Sequence, residues 1–459
     1  MTEFYKKTIS ALKEIQSANK NLIGWQLIET ETNGLQKLYQ GHKEKLLIPH
    51  QEREVDELSF SLTVYTNFFD EGFIGIGSSD LLTFIDIRKQ IDELIELSKS
   101  SKNKAWKLLL KPDKEYPEVL TYDKEIKDSP ESIIPGIEKE AISVIKGLSG
   151  IYVNSAETYV NFRKITRETS TGIKTYKEKS DIYFEIAMEK ADSVNNKEVH
   201  EKIESVSRKD LKLRDFIEEC AEQVKSLGNT VEPETSEHTV IVISEEPIAL
   251  LLSALISQLN CAREYQKLPF LEINDKIYIG DKDPDSNKLT LTLDPFIPEM
   301  ALSSPYTQEG MITEKKCIIA DDIVQYRLVR NRFGQYLNKK PNGVRGNLLI
   351  EPGNISFNDF NKIEEEYIEI IRFSSLLVDH TKLTWSSEIK LAKLRNKDGS
   401  TTLIKGGVVS GKINENLSNF VFSKETAKVN SPGTSYDHPK GYIGPKKMLI
   451  RSGVSIVGK

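Results

Sequence analysis

A chain of 459 residues, 38% apolar and 29% charged, is too long for a single hydrophobic core and too apolar to work as a disordered protein. Two domains are expected, with room for a third small module. The net charge of −6 excludes bulk attraction to nucleic acid or to anionic membranes, although a local basic strip is compatible with it.

The opening residues, Met1-Thr2-Glu3-Phe4-Tyr5-Lys6-Lys7, lack the apolar core of a secretory signal, and residues 4–15 read as a helix. Residues 25–38 alternate loosely like a strand running to a turn at Gly41, and Phe60, Leu62 and Val64 alternate strictly. A glycine-rich stretch at residues 72–79 is followed by a helix whose apolar stripe is Ile87, Ile91, Leu94 and Ile95. Prolines at 112, 117 and 130 mark loops, with a possible sub-boundary at residues 111–130. A helix on Ile137, Ala141, Ile145 and Leu148 comes next, then strands at 159–166 and 181–188, then a helix on Phe216, Cys220, Val224 and Leu227. The polar, acidic, proline-bearing stretch 229–238 is the expected linker between an α/β N-terminal domain, 1–228, and a β-rich C-terminal domain, 239–459. In the second part the most apolar run, 247–259, is too short to span a bilayer and reads as a buried helix. Short apolar segments at 289–293, 324–328, 348–350, 376–378, 408–409, 420–422 and 455–457 predict a large antiparallel sheet or a barrel-like array.

No complete catalytic motif can be read. The glycines at 72, 75 and 77 lack the Lys-Ser/Thr ending of a phosphate loop and the spacing of a dinucleotide fingerprint, so a strand approached closely by backbone is the stronger reading. Asp281-Lys282-Asp283-Pro284-Asp285 begins like a calcium loop, but Ser286 and Thr292 stand where glycine and glutamate are needed, which leaves a turn. His200-Glu201 is not continued to a second histidine, and a solvated polar helix face is expected there. The six histidines (42, 50, 200, 238, 380 and 438) form no local ligand pair. The scattered Cys220, Cys261 and Cys317 fit a reduced, cytoplasmic compartment, and Cys220 lies on an apolar helix face where an inert core role is expected.

An ordered series of segments in the second half carries more information. Thr239-Val240-Ile241-Val242-Ile243-Ser244-Glu245-Glu246-Pro247 runs into the apolar helix, and Leu293-Asp294-Pro295 follows. Then come Gln308-Glu309-Gly310-Met311-Ile312-Thr313, Cys317-Ile318-Ile319, Asn342-Gly343-Val344-Arg345-Gly346-Asn347 and Leu348-Leu349-Ile350-Glu351-Pro352-Gly353. The series resembles the TldD/PmbA family, also called modulators of DNA gyrase, and more closely its PmbA or TldE branch. Residues 60–65, 72–79 and Tyr152-Val153-Asn154-Ser155 agree more weakly.

In the TldD branch the corresponding helix carries HExxxH, which binds zinc and supplies a general base for peptide hydrolysis. Here the two ligand positions fall on Ser253 and Gln258 and the base on Ala254, and shifting the register by one recovers no His or Glu. The resemblance therefore implies a metal-free TldE-like subunit of a metallopeptidase acting on unfolded peptides and small proteins, with the zinc in a TldD-like partner. Glu309, Gly310, Arg345, Gly346 and Asn347 are candidates for lining a peptide groove or the subunit contact, ordinary turns being the competing reading. A non-enzymatic peptide-binding or scaffolding homodimer and a nucleic-acid-associated modulator are the alternatives; acidity and the lack of an aromatic–basic motif count against the second.

Overall fold

The computed structural model describes residues 1–41, 47–69, 72–191, 198–433 and 440–459. The first part is built on seven strands: β1 (Leu22–Gly41), β2 (Leu47–Thr66), β3 (Phe73–Asp80), β4 (Lys102–Lys104), β5 (Ile151–Thr169), β6 (Lys174–Lys190) and β7 (Glu198–Ser205). They form one antiparallel sheet in the order β4-β3-β2-β1-β5-β6-β7. Helices cover one face in two groups. Near one edge, α1 (Glu3–Ala18) and α2 (Ile87–Ser98) pack Leu12, Ile91 and Leu94 on Trp25, Leu27, Leu62 and Val64. Farther along, α3 (Lys124–Asp128), α4 (Pro130–Gly147) and α5 (Leu213–Ser226) pack Ile126, Ile137, Ala141 and Ile217 on Val160, Phe162, Ile182 and Phe184. Each helix group buries an apolar stripe that no single strand could cover, so the one sheet carries two cores.

The period of two in a strand then fixes what the other face displays. Val160 and Phe162 of β5 point to the helices, so Asn161, Arg163, Ile165 and Arg167 point away from them. On β6, Ile182 and Phe184 point to the helices, while Lys177 and Lys179 share the opposite face. That polar face meets the second part of the chain.

The second part contains two open sheets rather than one sheet or a barrel. Its strands are β8 (Thr230–Val231), β9 (Ile241–Ser244), β10 (Leu291–Asp294), β11 (Lys316–Ala320), β12 (Ile323–Val324), β13 (Asn347–Ile350), β14 (Tyr367–Phe373), β15 (Leu377–Asp379), β16 (Thr384–Arg395), β17 (Thr401–Ile404), β18 (Val408–Lys412), β19 (Phe420–Phe422), β20 (Thr426–Asn430), β21 (Gly441–Pro445), β22 (Lys447–Ile450) and β23 (Val454–Val457). One sheet runs β12-β11-β10-β13-β21-β20; the other runs β19-β22-β9-β14-β16-β17-β8, with β15, β18 and β23 attached through β16. Three pairs, β13 with β21, β14 with β9 and β17 with β8, are parallel, so the expected antiparallel texture is mixed. Among the described residues no helix is long and apolar enough to cross a membrane.

Two local expectations differ from the structure. His200 and Glu201 sit on strand β7, not on a helix: the His200 ring bonds Glu185 at 2.6 Å, and buried Glu201 pairs with Arg372 and Lys390. The alternation Val324, Tyr326, Leu328 yields only the two-residue β12 and a bridge at Leu328, because the chain leaves the sheet to reach Asn260. Within residues 229–238, Thr230–Val231 adds to the edge of β17, and Ser236 bridges to Ile456. Other expectations hold in detail. Residues 73–80 are a strand whose Gly75 and Gly77 lie against the backbone of α2, and Asp283 closes a turn by accepting from the Asp285 amide at 2.8 Å. His42 and His438 lie outside the described residues.

Candidate functional site

The apolar run folds as α6 (Glu245–Gln258), with Glu245 and Glu246 at the positive end of its dipole and Pro247 in the first turn, where no amide donor is missed. Ile248, Leu251, Leu252, Leu255 and Leu259 are buried in the largest core of the chain, between the two sheets. The three positions of interest are committed to that packing. Ser253 donates its hydroxyl back to the Ala249 carbonyl at 2.8 Å, Ala254 is fully buried, and Gln258 is 4% exposed. The Gln258 amide donates to the carbonyls of His380 and Thr381 at 3.2 and 3.1 Å, tying the helix end to the loop after β15.

Zinc requires imidazole, thiolate or carboxylate ligands, and none projects from these positions. The nearby His380 is a lone imidazole whose pKa is pushed down by burial and by the Arg263 guanidinium, which also bonds Thr381. Among the described residues no three His, Cys, Asp or Glu side chains come close enough to hold a metal ion. The donor set therefore does not fit zinc, and no hydrolytic step can be drawn through it. Cys220 is equally remote from chemistry: it is buried between α5 and the first sheet, and burial pushes its thiol up to about 12.

Beside the Gln258 anchor lies an open groove of about 740 Å³, lined among others by Leu377, Asp379, Trp385, Lys412 and Glu415. One wall is β15, which pairs only with β16 among the described residues, and its Leu377 is 66% exposed.

The five turn residues singled out by sequence come together elsewhere, at the contact between the first sheet and the second part of the chain. The Glu309 carboxylate accepts from the Asn331 amide at 2.9 Å, and the Gly310 carbonyl accepts from the Tyr116 hydroxyl at 2.6 Å. Gly310 has φ +96°, and the Arg167 guanidinium of β5 lies against it while donating to the Gln308 carbonyl. Gly346, at φ +144°, brings the chain so close to Asp294 and Pro295 that a Cβ would overlap their backbone. Asn347 is fully buried and works as a strut: it accepts from the Leu302 amide at 3.0 Å and donates to the Asp294 carbonyl and the Ser303 hydroxyl, both at 2.9 Å.

Arg345 differs from its neighbours because no carboxylate among the described residues pairs with it. Burial, with Arg330 close by, lowers its pKa. Facing it from β6 are Lys177 and Lys179. Lys177 donates to the Ser303 carbonyl at 3.2 Å, and burial beside Lys179 and Arg345 lowers its pKa to about 6. Lys179 is lowered by burial, Arg345 and Lys440. Arg167, 5% exposed, stacks its guanidinium on Tyr306 and leaves Nε and Nη2 without an acceptor. Sequence reading singled out Arg345 and missed Arg167, Lys177 and Lys179; Lys177 and Lys179 share a strand face at i, i+2, but their neighbours Tyr176, Glu178 and Ser180 give no apolar alternation to mark it, and nothing local marks Arg167.

A strap of residues 102–121 closes one flank of this contact against α8 (Asn331–Tyr336), which in turn meets α7 (Cys261–Tyr265) through Tyr265. The Lys107 amide donates to Gln335 at 2.8 Å, and the Lys107 carbonyl accepts from Asn331 and Gln335. Arg332 lies 4.6 Å from the Trp106 ring and 5.5 Å from those of Phe333 and Tyr336, while donating to Asn103 at 2.8 Å.

Residues 236–456 match the family model of the PmbA/TldA metallopeptidase C-terminal domain. This part of the chain is a PmbA/TldD-family domain. A likeness of fold to solved structures extends over the whole chain. A protein described as a modulator of DNA gyrase from Bacteroides thetaiotaomicron superposes with a TM-score of 0.78 at 17% identity, covering 100% of both chains. Another so described, from Thermotoga maritima, gives 0.75 at 14% identity over 99% of this chain and 100% of its own. TldE from Thermococcus kodakarensis gives 0.75 at 14% identity, covering 98% and 100%. No curated protein matches the sequence.

Proposed function

We propose that this chain is the metal-free, TldE-like subunit of a two-subunit metallopeptidase, the zinc residing in a TldD-like partner. The observation that carries the reading is α6, which keeps its place in the core while each position that would serve hydrolysis is given to structure: Ser253 to its own helix, Ala254 to packing, and Gln258 to the loop at His380. The family match over residues 236–456 and the TldE-like fold support it.

The subunit's part in the reaction is to hold substrate. The unpaired edge of β15, with Leu377 above the neighbouring groove, has the backbone donors and acceptors to take an extended peptide as an added strand. Such pairing is sequence-tolerant, as the handling of unfolded segments requires. Glu309 and Gly310 shape the turn that carries the interdomain contact, and Gly346 and Asn347 hold Arg345 at it.

The decisive experiment compares cleavage of unfolded peptides by the chain alone, by a zinc-bearing TldD-like chain alone, and by the two together, each with a chelator control. Turnover that needs both chains and falls with chelator is expected, as is purification of this chain without stoichiometric zinc. Chelator-sensitive turnover by this chain alone would overturn the reading.

A further inference from the structure

Charges across the interdomain contact are matched at one flank and unmatched in the middle. Near β7, Glu201 holds Arg372 and Lys390, and Asp210 holds Lys428 at 2.5 Å. Moving along the sheet toward β5, the carboxylates on this face are already engaged, Asp181 by Arg163 and Glu309 by the Asn331 amide, while further cations remain. Arg167, Lys177, Lys179 and Arg345 have no carboxylate within 4 Å among the described residues. Lys179 and Arg345 lie close to Lys177, and Arg167 and Arg345 both lie close to Tyr306. Arg163 pairs across the strands with Lys179, Ile165 with Lys177 and Arg167 with Thr175, which sets all of them on the sheet face turned to the second part of the chain. From that part, Ser303 receives Lys177, and Tyr306 stands against Arg167.

Partly desolvated cations without counter-charge are costly, and folded chains ordinarily pair them or leave them in water. Arg167 makes the imbalance acute, because two of its nitrogens are buried with nothing to donate to. Arg163, one step away on the same face, shows the local alternative, since it is paired with Asp181. Among the described residues the structure thus gathers several cationic donors with backbone carbonyls as acceptors but no carboxylate.

We propose that Lys177, Lys179 and Arg345, backed by Arg167 behind Tyr306, form a receptor for a carboxylate of a bound peptide, either its C-terminus or an acidic side chain. The assignment deepens the reading of the chain as a peptide-holding subunit by naming the substrate group it retains. Two amines and a guanidinium supply charge-assisted donors for the two oxygens of one carboxylate. The lowered pKa of Lys177 agrees with this geometry: without an anion the amine gives up its proton to relieve repulsion from Lys179 and Arg345, and an arriving carboxylate restores it.

The test is calorimetric binding to the full chain, without partner, at pH 7 and low salt. The probes are acetyl-tetraalanine as free acid, its amide, an amidated peptide of equal length bearing one internal glutamate, and inorganic phosphate. Binding of the free acid or of the glutamate peptide at least tenfold tighter than the neutral amide is expected, and which of the two binds identifies the source of the carboxylate. Lys177→Met and Arg345→Gln should each reduce that preference at least fivefold. Lys190→Gln, an exposed lysine at the far end of the same strand, removes the same charge and should leave the preference intact. Lys179→Gln replaces either variant that fails a circular-dichroism check of folding. Equal binding of all three peptides, a preference that survives the variants, or phosphate binding without carboxylate preference would overturn the proposal. Because no partner is present, loss of the two-subunit reading would leave this result standing, and failure here would not touch the cleavage experiment.

Discussion

Helix α6 and the interdomain face use burial in opposite ways. Around α6 the buried groups are apolar, and its few polar atoms are satisfied at once: Ser253 by Ala249, Gln258 by two loop carbonyls. At the face between the first sheet and the second part of the chain, cations are brought out of water without a carboxylate partner among the described residues: Lys177 and Arg345 are half-buried, and Arg167 is almost wholly enclosed. The first arrangement is complete as it stands and has nothing left to offer a ligand. The second keeps unspent hydrogen-bonding capacity, and such capacity is where binding is to be sought.

The sharpest way to break this contrast is to place a charge where the core is complete. Ala254→Glu puts a carboxylate at a fully buried position with no cation prepared for it, and a loss of about 3–5 kcal/mol in urea unfolding is expected. For the same reason Ser253→His, Ala254→Glu and Gln258→His together should not confer peptidase activity, since neither a third ligand nor orienting partners surround α6.

A smaller loss, about 2 kcal/mol, is expected for Arg332→Ala, which removes the cation from between Trp106, Phe333 and Tyr336 and the bond to Asn103. Hydrogen exchange should show faster exchange in residues 102–121 with α6 unchanged. Equal loosening of both regions would mean that the contact and the core are one cooperative unit.

Lys177→Met should act in the other direction, stabilising the chain at pH 6, where the amine is forced to carry its charge. The folded-state pKa of this amine lies near 6, far below that of an unfolded lysine, so between these values the unfolded chain binds more protons. The wild-type penalty is therefore full below about pH 6 and fades as pH rises toward about 10. The groups facing the amine are Lys179, Arg345 and the Ser303 carbonyl, none of which offers a compensating negative charge. Urea midpoints of both proteins should converge as pH rises, and a constant difference would show that packing, not charge, sets it.

The smallest effect, about 1 kcal/mol, is expected for Gln258→Ala, which frees the carbonyls of His380 and Thr381. Exchange should rise in residues 379–383, next to the groove, while the domain contact is untouched.

What the sequence determined by itself was the set of elements and their apolar sides. The stripe on Ile91, Leu94 and Ile95 and the alternation through Phe60, Leu62 and Val64 follow from local period and residue type, which no distant contact has to supply, whereas Ser253, Ala254 and Gln258 stood out only through the family resemblance. The tertiary structure alone decided which strands met in parallel, why His200 and Glu201 lay on a strand, and why Thr230–Val231 joined a distant edge. It also decided the cation cluster, because Arg167, Lys177 and Arg345 are separated by up to 178 residues and read one by one as solvated charges. Only the sheet register and the packing of a second domain on the sheet's polar face remove them from water, and a charge becomes a candidate site through that loss of solvent, which no local pattern encodes.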